Sequence, residues 1–275
     1  MREIKLIALD LDGTLLNSKK ELSAANRAAL KRAADAGIEI VPTTGRFYGG
    51  MPEAIRNLDF INYAITVNGA QVYDIKNDRA IARAEIPLAY ALEIMEYMDT
   101  KPVIYDCYQD NWGYMTRSMW EAVENFTPDP HYRVMVRELR KPVPELKAYL
   151  KEKGRDIQKT QLFTCDAKLR EQLLNEMPLL FPKTAVSSAA PNNVEINDKK
   201  AHKGNAIGRL AAFLGFGLSE CAGFGDGLND ISMIRECGVG IAMANACSGA
   251  LAVCDHVTVS NDEDGVARGV EFLGI

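Results

Sequence analysis

Two short apolar runs far apart in the chain, residues 4–10 and 221–224, each stop in an acidic, glycine-bearing turn, and this pairing restricts the fold more than any other feature. The first ends in Asp10-Leu11-Asp12-Gly13-Thr14 and the second in Gly225-Asp226-Gly227-Leu228-Asn229-Asp230. A short apolar run bounded by turn residues reads as a buried strand. Helical periodicity surrounds both. After the first, Ser23 precedes Ala25, Ala29, Leu30 and Ala33 at helical spacing, Gly37 supplies a C-terminal stop, and residues 38–41 return to strand character before Pro42-Thr43-Thr44-Gly45-Arg46. Ahead of the second, residues 203–214 put Ile207, Leu210, Ala211 and Leu214 on one helical face; a helix at 230–236 and strands at 239–243 and 256–259 follow it. Strand–helix–strand units of this kind imply an α/β fold with a parallel sheet and right-handed crossovers.

The middle of the chain has another rhythm. Asn68-Gly69, between residues 63–67 and 70–73, marks a tight two-residue hairpin. Beyond it, helix-like stretches (88–98, 145–153, 168–177) alternate with short strands (103–108, 158–164, 183–188), and most of the aromatic residues gather there. The expected organisation is a core domain of residues 1–84 and 191–275 interrupted by an inserted α+β domain at 85–190. A chain of 275 residues has room for both.

Composition narrows the partners. With 47% hydrophobic and 25% charged residues the chain is an ordinary globular protein, neither disordered nor fibrous. A net charge of −5 leaves no overall positive field to concentrate nucleic acid, so a small molecule is the expected partner. Arg2, Glu3 and Lys5 interrupt the N-terminal stretch 1–10, and no span approaches about 20 apolar residues, so neither a signal peptide nor a membrane span is expected and the location expected is cytoplasmic. Six cysteines without CxxC spacing read as reduced thiols. With three histidines, a Cys/His zinc site or a Cys–His catalytic pair is not expected.

In open parallel sheets, ligands bind outside the carboxyl ends of the strands. Asp10 and Asp12, Thr44, Lys203, and Asp226, Asn229 and Asp230 all fall at or near such positions. Two carboxylates as close as Asp10 and Asp12 repel unless a cation lies between them or one keeps a proton. Both conditions suit phosphoryl transfer: Mg²⁺ shared by carboxylates and a substrate phosphate, a protonated Asp12 as general acid on the leaving oxygen, and Asp10 as the nucleophile that becomes an aspartyl-phosphate. Thr44 and Gly45 offer a hydroxyl and backbone N–H groups to phosphate oxygens, while Arg46 is left open between substrate and a surface acid. Lys203 at a helix start opposes the helix dipole unless an anion separates them, which suits it to neutralising Asp10 and a bound phosphate. His202 reads as a surface or capping residue. Asp226 is the second metal ligand, Asn229 a phosphate or water contact, and Asp230 either the cap of the next helix or a group orienting its neighbours. The Asp10, Thr44 and Asp226 motifs each also read as a plain turn, and Lys203 as solvated surface charge; their shared placement carries the argument. Asp262, Asp264, Gly265 and Glu271 match part of a calcium-loop pattern, but a strand precedes them, and Asp264 is expected to cap a helix.

Asp10-Leu11-Asp12-Gly13-Thr14-Leu15, Thr43-Thr44-Gly45-Arg46, Lys203-Gly204 and Gly225-Asp226-Gly227-Leu228-Asn229-Asp230, in this order, resemble the four motifs of the haloacid dehalogenase-like hydrolases. The Asn68-Gly69 turn, Val194-Glu195-Ile196 and Ala242-Met243-Ala244-Asn245-Ala246 resemble the Cof-type branch more narrowly. The resemblance spans nearly the whole chain and implies a Rossmann-like parallel-sheet core with an α/β cap inserted after the Asn-Gly hairpin. It also implies that Asp10 is the nucleophile and Asp12 the acid/base, that Thr44, Lys203 and Asn229 bind phosphate, and that Asp10, Asp226 and the backbone carbonyl of Asp12 hold Mg²⁺. Pro42-Thr43 and Leu228 depart from the branch's usual residues, which touches fine geometry and removes no reacting group. The expected activity is hydrolysis of a small phosphorylated metabolite, a sugar phosphate or similar phosphomonoester. A phosphotransferase or mutase using the same intermediate is the enzymatic alternative. A phosphoacceptor module is the non-enzymatic one, disfavoured because a switch needs no inserted domain to bury a substrate.

Overall fold

The structure, a computed structural model, describes residues 3–188 and 190–275. In chain order the strands are β1 (Leu6–Leu9), β2 (Glu39–Pro42), β3 (Tyr63–Thr66), β4 (Gln71–Asp74), β5 (Arg79–Arg83), β6 (Ile104–Gln109), β7 (Trp112–Thr116), β8 (Arg140–Val143), β9 (Lys159–Phe163), β10 (Thr184–Ser187), β11 (Asn193–Asp198), β12 (Cys221–Gly225), β13 (Val239–Ala242) and β14 (His256–Val257). The chain divides into two compact units, one of Met1–Arg46, Met51–Arg83 and His202–Ile275, the other of Phe47–Gly50 and Ala84–Ala201.

In the first unit, five parallel strands run in the order β14-β13-β12-β1-β2. β1, Leu-Ile-Ala-Leu, is buried along its length, as a strand covered on both faces must be. The helix Ala24–Asp35 starts where the Ser23 side chain accepts the Asn26 N–H (3.1 Å), and it turns Ala29, Leu30 and Ala33 inward. The helix Lys203–Leu214 buries Ile207, Leu210 and Ala211 in a cluster with Leu6, Ala8, Val41 and Met233. Each large aliphatic side chain so buried contributes roughly 1.5–3 kcal/mol. Register then fixes the site: Leu9 lies between Pro42 and Phe224, the Asp10 N–H donates to Phe224 O (3.0 Å), and the Thr43 N–H donates to Leu9 O (2.7 Å). The carboxyl ends of β2, β1 and β12 therefore finish level. Their next residues arrive at one edge, with β2 on one side of β1 and β12 on the other, which is a topological switch point.

Strands β3-β4-β5 form a separate antiparallel sheet. The two-residue hairpin expected at Asn68-Gly69 is not formed. Thr66 pairs with Gln71, and residues 67–70 make the connection. Hydrogen bonds from the Val67 N–H to Arg46 O (2.9 Å) and from the Asn68 N–H to Thr44 O (3.0 Å) draw these residues out of the ladder. Asp264 also differs from expectation. It has φ 61° and makes no side-chain capping bond among the described residues, while its neighbour Asp262 receives the Ser18 N–H (2.8 Å).

The second unit is a six-stranded sheet, β10-β11-β9-β6-β7-β8, antiparallel except for the parallel pair β7 and β8. Helices Leu88–Asp99, Leu146–Lys153 and Ala167–Leu180 bring Ile94, Met98, Leu150 and Leu173 into one core with Tyr105, Leu162, Val194 and Ile196. β11, placed by the sequence reading with the core domain, pairs with β9 and β10 and belongs to this unit. Its Val194 and Ile196 point to the apolar core and Glu195 to the opposite face, the period-two alternation of an antiparallel strand. Among the described residues no helix is long and apolar enough to cross a membrane. The six cysteines are free thiols.

Candidate active site

At the level edge of the parallel sheet, Asp10, Asp226 and Asp230 each bring a carboxylate oxygen within 4.8 Å of the others. Asp10 directly follows β1 and Asp226 directly follows β12, so the level register delivers both. Asp230 folds back on its own loop: Oδ2 accepts the N–H groups of Asp226 (2.9 Å) and Gly227 (2.8 Å). Of the two roles expected for Asp230, helix capping is not realised, because these loop donors and Lys203 occupy the carboxylate.

Lys203 opens its helix behind His202, whose Nδ1 accepts the Asn205 N–H (3.2 Å) as the helix cap. Its side chain is wholly buried, and Nζ donates to Asp10 Oδ1 (2.5 Å) and Asp230 Oδ1 (2.5 Å). Burial alone would lower the Lys203 pKa, but the two carboxylates outweigh it and push the value up. For Asp10, burial dominates over the Lys203 charge; helped by repulsion from Asp230 and Asp226, it pushes the carboxyl up to about 8. Burial likewise raises Asp226 to about 6, against the Thr14 hydrogen bond and with repulsion from Asp230. Two of the three clustered acids thus share one ammonium, and Asp226 lies beside them without an ion pair of its own among the described residues. The remaining negative charge suits a divalent cation.

Asp12 stands apart from that cluster. Arg46 grips it with two bonds, Nε to Oδ2 (2.8 Å) and Nη2 to Oδ1 (2.9 Å), and Lys20 Nζ adds a third to Oδ1 (2.9 Å). Burial pushes the Asp12 carboxyl up, but Arg46 and Lys20 together outweigh it and hold the group below the usual carboxylate range. The repulsion expected between Asp10 and Asp12 is therefore relieved at Asp12 by two cations and not by a retained proton. Arg46, left open by the sequence, is an ion-pair partner.

Thr44 is buried, with its N–H on Ile65 O (2.9 Å) and its Oγ1 accepting the Arg46 N–H (3.2 Å). Asn229 is exposed, and its Nδ2 donates to Asn68 Oδ1 (3.2 Å). Gly45 lies against the same Asn68 oxygen, which a Cβ there would approach to 2.9 Å. Asp10, Lys203, Asp226 and Asp230 thus meet directly, Asn68 joins the Thr44-Gly45 loop to Asn229, and the Asp12 carboxylate points to Arg46. Sequence reasoning did not single out Gly13 and Thr14. Thr14 Oγ1 donates to Asp226 Oδ1 (2.7 Å), and Gly13, at φ +92°, sits where a Cβ would come within 2.4 Å of Asp226 Oδ2. Their signal was present in Asp-Gly-Thr, where a left-handed residue and a hydroxyl adjoin the acids.

A family model described as haloacid dehalogenase-like hydrolase matches residues 7–270. Phosphatase YwpJ of Bacillus subtilis (strain 168) is 30% identical over 296 residues, covering 98% of this chain and 100% of the relative. The 5-amino-6-(5-phospho-D-ribitylamino)uracil phosphatase YcsE of the same organism is 30% identical over 270 residues, covering 98% and 95%. The solved structure of a haloacid dehalogenase-like hydrolase from B. subtilis matches with a TM-score of 0.82 at 30% identity, covering 98% of this chain and 100% of that one. With its motifs at the level edge of one parallel sheet, the chain belongs to the haloacid dehalogenase-like hydrolases, among the phosphatases of their Cof-type branch.

Proposed function

We propose that the chain hydrolyses phosphomonoesters of small metabolites, sugar phosphates or similar compounds, through an aspartyl-phosphate on Asp10. The observation that carries this reading is the buried Lys203 bridging Asp10 and Asp230 beside Asp226, which gathers a nucleophilic carboxylate, a fixed cation and a metal-competent acid. Lys203 holds Asp10 Oδ1, so Oδ2 is the atom assigned to attack phosphorus as the leaving oxygen departs. Lys203 favours the ionised form of Asp10 against its burial and, with Thr44, Gly45 and Asn229, steadies the phosphate oxygens. Water then cleaves the aspartyl-phosphate. Asp12, held ionised by Arg46 and Lys20, is set to take that water's proton; to protonate the leaving oxygen in the first step it must first release these partners and take up a proton from solvent.

Asp10, Asp226 and the backbone carbonyl of Asp12 would hold Mg²⁺, and the fit rests on three clustered carboxylates of which one ammonium bonds two. When bound, the ion supplies charge neutralisation at the phosphate oxygens. Asp230 orients Lys203 and the Asp226 backbone from behind. The unit at 84–201 is assigned as the cap that selects the leaving group. The name of the relative YcsE adds 5-amino-6-(5-phospho-D-ribitylamino)uracil to the compounds worth assaying.

The purified protein with Mg²⁺ should release phosphate from p-nitrophenyl phosphate, and Asp10→Asn should abolish turnover with an unchanged circular dichroism spectrum. Full activity in Asp10→Asn would overturn the mechanism. Comparing kcat/KM across a panel of phosphorylated metabolites then ranks the substrate classes.

A further inference from the structure

Three consecutive residues, Val67, Asn68 and Gly69, hold positive φ angles of 51°, 58° and 98°. Asparagine and glycine tolerate the left-handed region, but a β-branched residue there is strained, and Val67 is fully buried. Such strain persists only where the surroundings over-determine it. Here the strand-end loop does so, since Arg46 O takes the Val67 N–H (2.9 Å) and Thr44 O takes the Asn68 N–H (3.0 Å). The outcome is the placement of one side chain. Asn68 is 7% exposed, and its Oδ1 both accepts from Asn229 Nδ2 (3.2 Å) and packs against Gly45. One amide thereby ties together the loop after β2, the connection between β3 and β4, and the loop after β12.

An exposed amide on a loop turns freely unless a partner fixes it, and the freedom lost on binding an anion is charged against affinity. We propose that Asn68 is a positioning residue of the phosphate site: it occupies one N–H of the Asn229 amide and so aims the other at a phosphate oxygen. This rests on the reading that Asn229 binds phosphate. The competing role for Asn68 is that of a plain turn former at a left-handed position. Glycine separates the two, because it suits φ 58° at least as well and removes the carboxamide.

The test is the inhibition constant of inorganic phosphate against p-nitrophenyl phosphate hydrolysis, measured for the parent, Asn68→Gly, Asn229→Ala and the double variant. Each single change should raise that constant roughly two- to tenfold, the worth of one hydrogen bond. The melting temperature of Asn68→Gly should match the parent, and the double variant should be no weaker than Asn229→Ala, since the two groups act as a unit. If Asn229→Ala weakens phosphate binding and Asn68→Gly does not, the positioning role falls and the phosphate reading stands. Fully additive effects overturn it equally. If neither variant moves the constant, the phosphate role of Asn229 falls and the positioning role falls with it.

Discussion

Lys203 is wholly buried with its ammonium 2.5 Å from a carboxylate oxygen of both Asp10 and Asp230. Lys203→Met keeps much of the apolar stem and leaves two buried acids facing each other without a cation. Deleting one partner of a buried ion pair costs about 3–5 kcal/mol, and uptake of a proton by an acid recovers part of it. Denaturant unfolding at about pH 8 should show a loss near that range, and a smaller one at about pH 5, where protons substitute for the ammonium. Equal stability of variant and parent at the higher pH would contradict the account. At this scale, residues whose position follows from a strand or helix end are legible in the sequence: Asp10, Asp226 and Lys203 sit where apolar runs stop or begin. Residues whose placement depends on a distant partner are not. Arg46 meets Asp12, Thr14 meets Asp226, and Asn68 meets Asn229 only after the sheet has formed. Asp230 shows a related limit, since its sequence context fits a helix cap, but the N–H groups of its own loop and the distant Lys203 take its carboxylate instead.

The turn from β1 through Thr14 is the element on which the acid cluster is built. Gly13 combines φ +92° with a direction in which a Cβ would lie 2.4 Å from Asp226 Oδ2. Gly13→Ala therefore meets a left-handed backbone penalty of roughly 1–3 kcal/mol and displaces Asp226 from its bond with Thr14 Oγ1 (2.7 Å). The Mg²⁺ concentration for half-maximal rate should rise by about tenfold or more, since each 1.4 kcal/mol is a factor of about ten. An unaltered metal dependence would show that Asp226 does not need this turn. Elements that bury a continuous face, such as β1 and the helices Ala24–Asp35 and Lys203–Leu214, write that face into the sequence. β7 and β8 do not. Arg-Lys-Pro-Val of β8 reads as a polar loop, yet Arg140 is buried because its Nε reaches Asp106 Oδ2 (2.7 Å) and its Nη2 reaches the Tyr108 hydroxyl (2.6 Å). A partner on another strand turns a polar segment into an interior one.

For the whole molecule, the insertion is legible where the chain's rhythm changes, and its far border is not, because β11 alternates as plausibly for either unit until its pairing partners are known. The acid cluster has a molecule-wide consequence for stability. Asp10 and Asp226 have folded values of about 8 and about 6, above the roughly pH 4 of a free carboxylate. Between about pH 4 and about pH 8 the folded state therefore holds more protons than the unfolded chain, and without metal its stability falls as pH rises through that window. A divalent cation needs these carboxylates ionised, so its binding expels the same protons and strengthens with pH. The melting temperature of protein treated with a chelator should drop between about pH 5.5 and about pH 8, and the increment on adding Mg²⁺ should grow over the same range. Asp10→Asn removes the group with the higher value, so its metal-free profile should flatten above about pH 6, where only the tail of the Asp226 titration is left. A Mg²⁺ increment independent of pH would mean that the ion does not compete with protons for Asp10 and Asp226, and that it binds elsewhere.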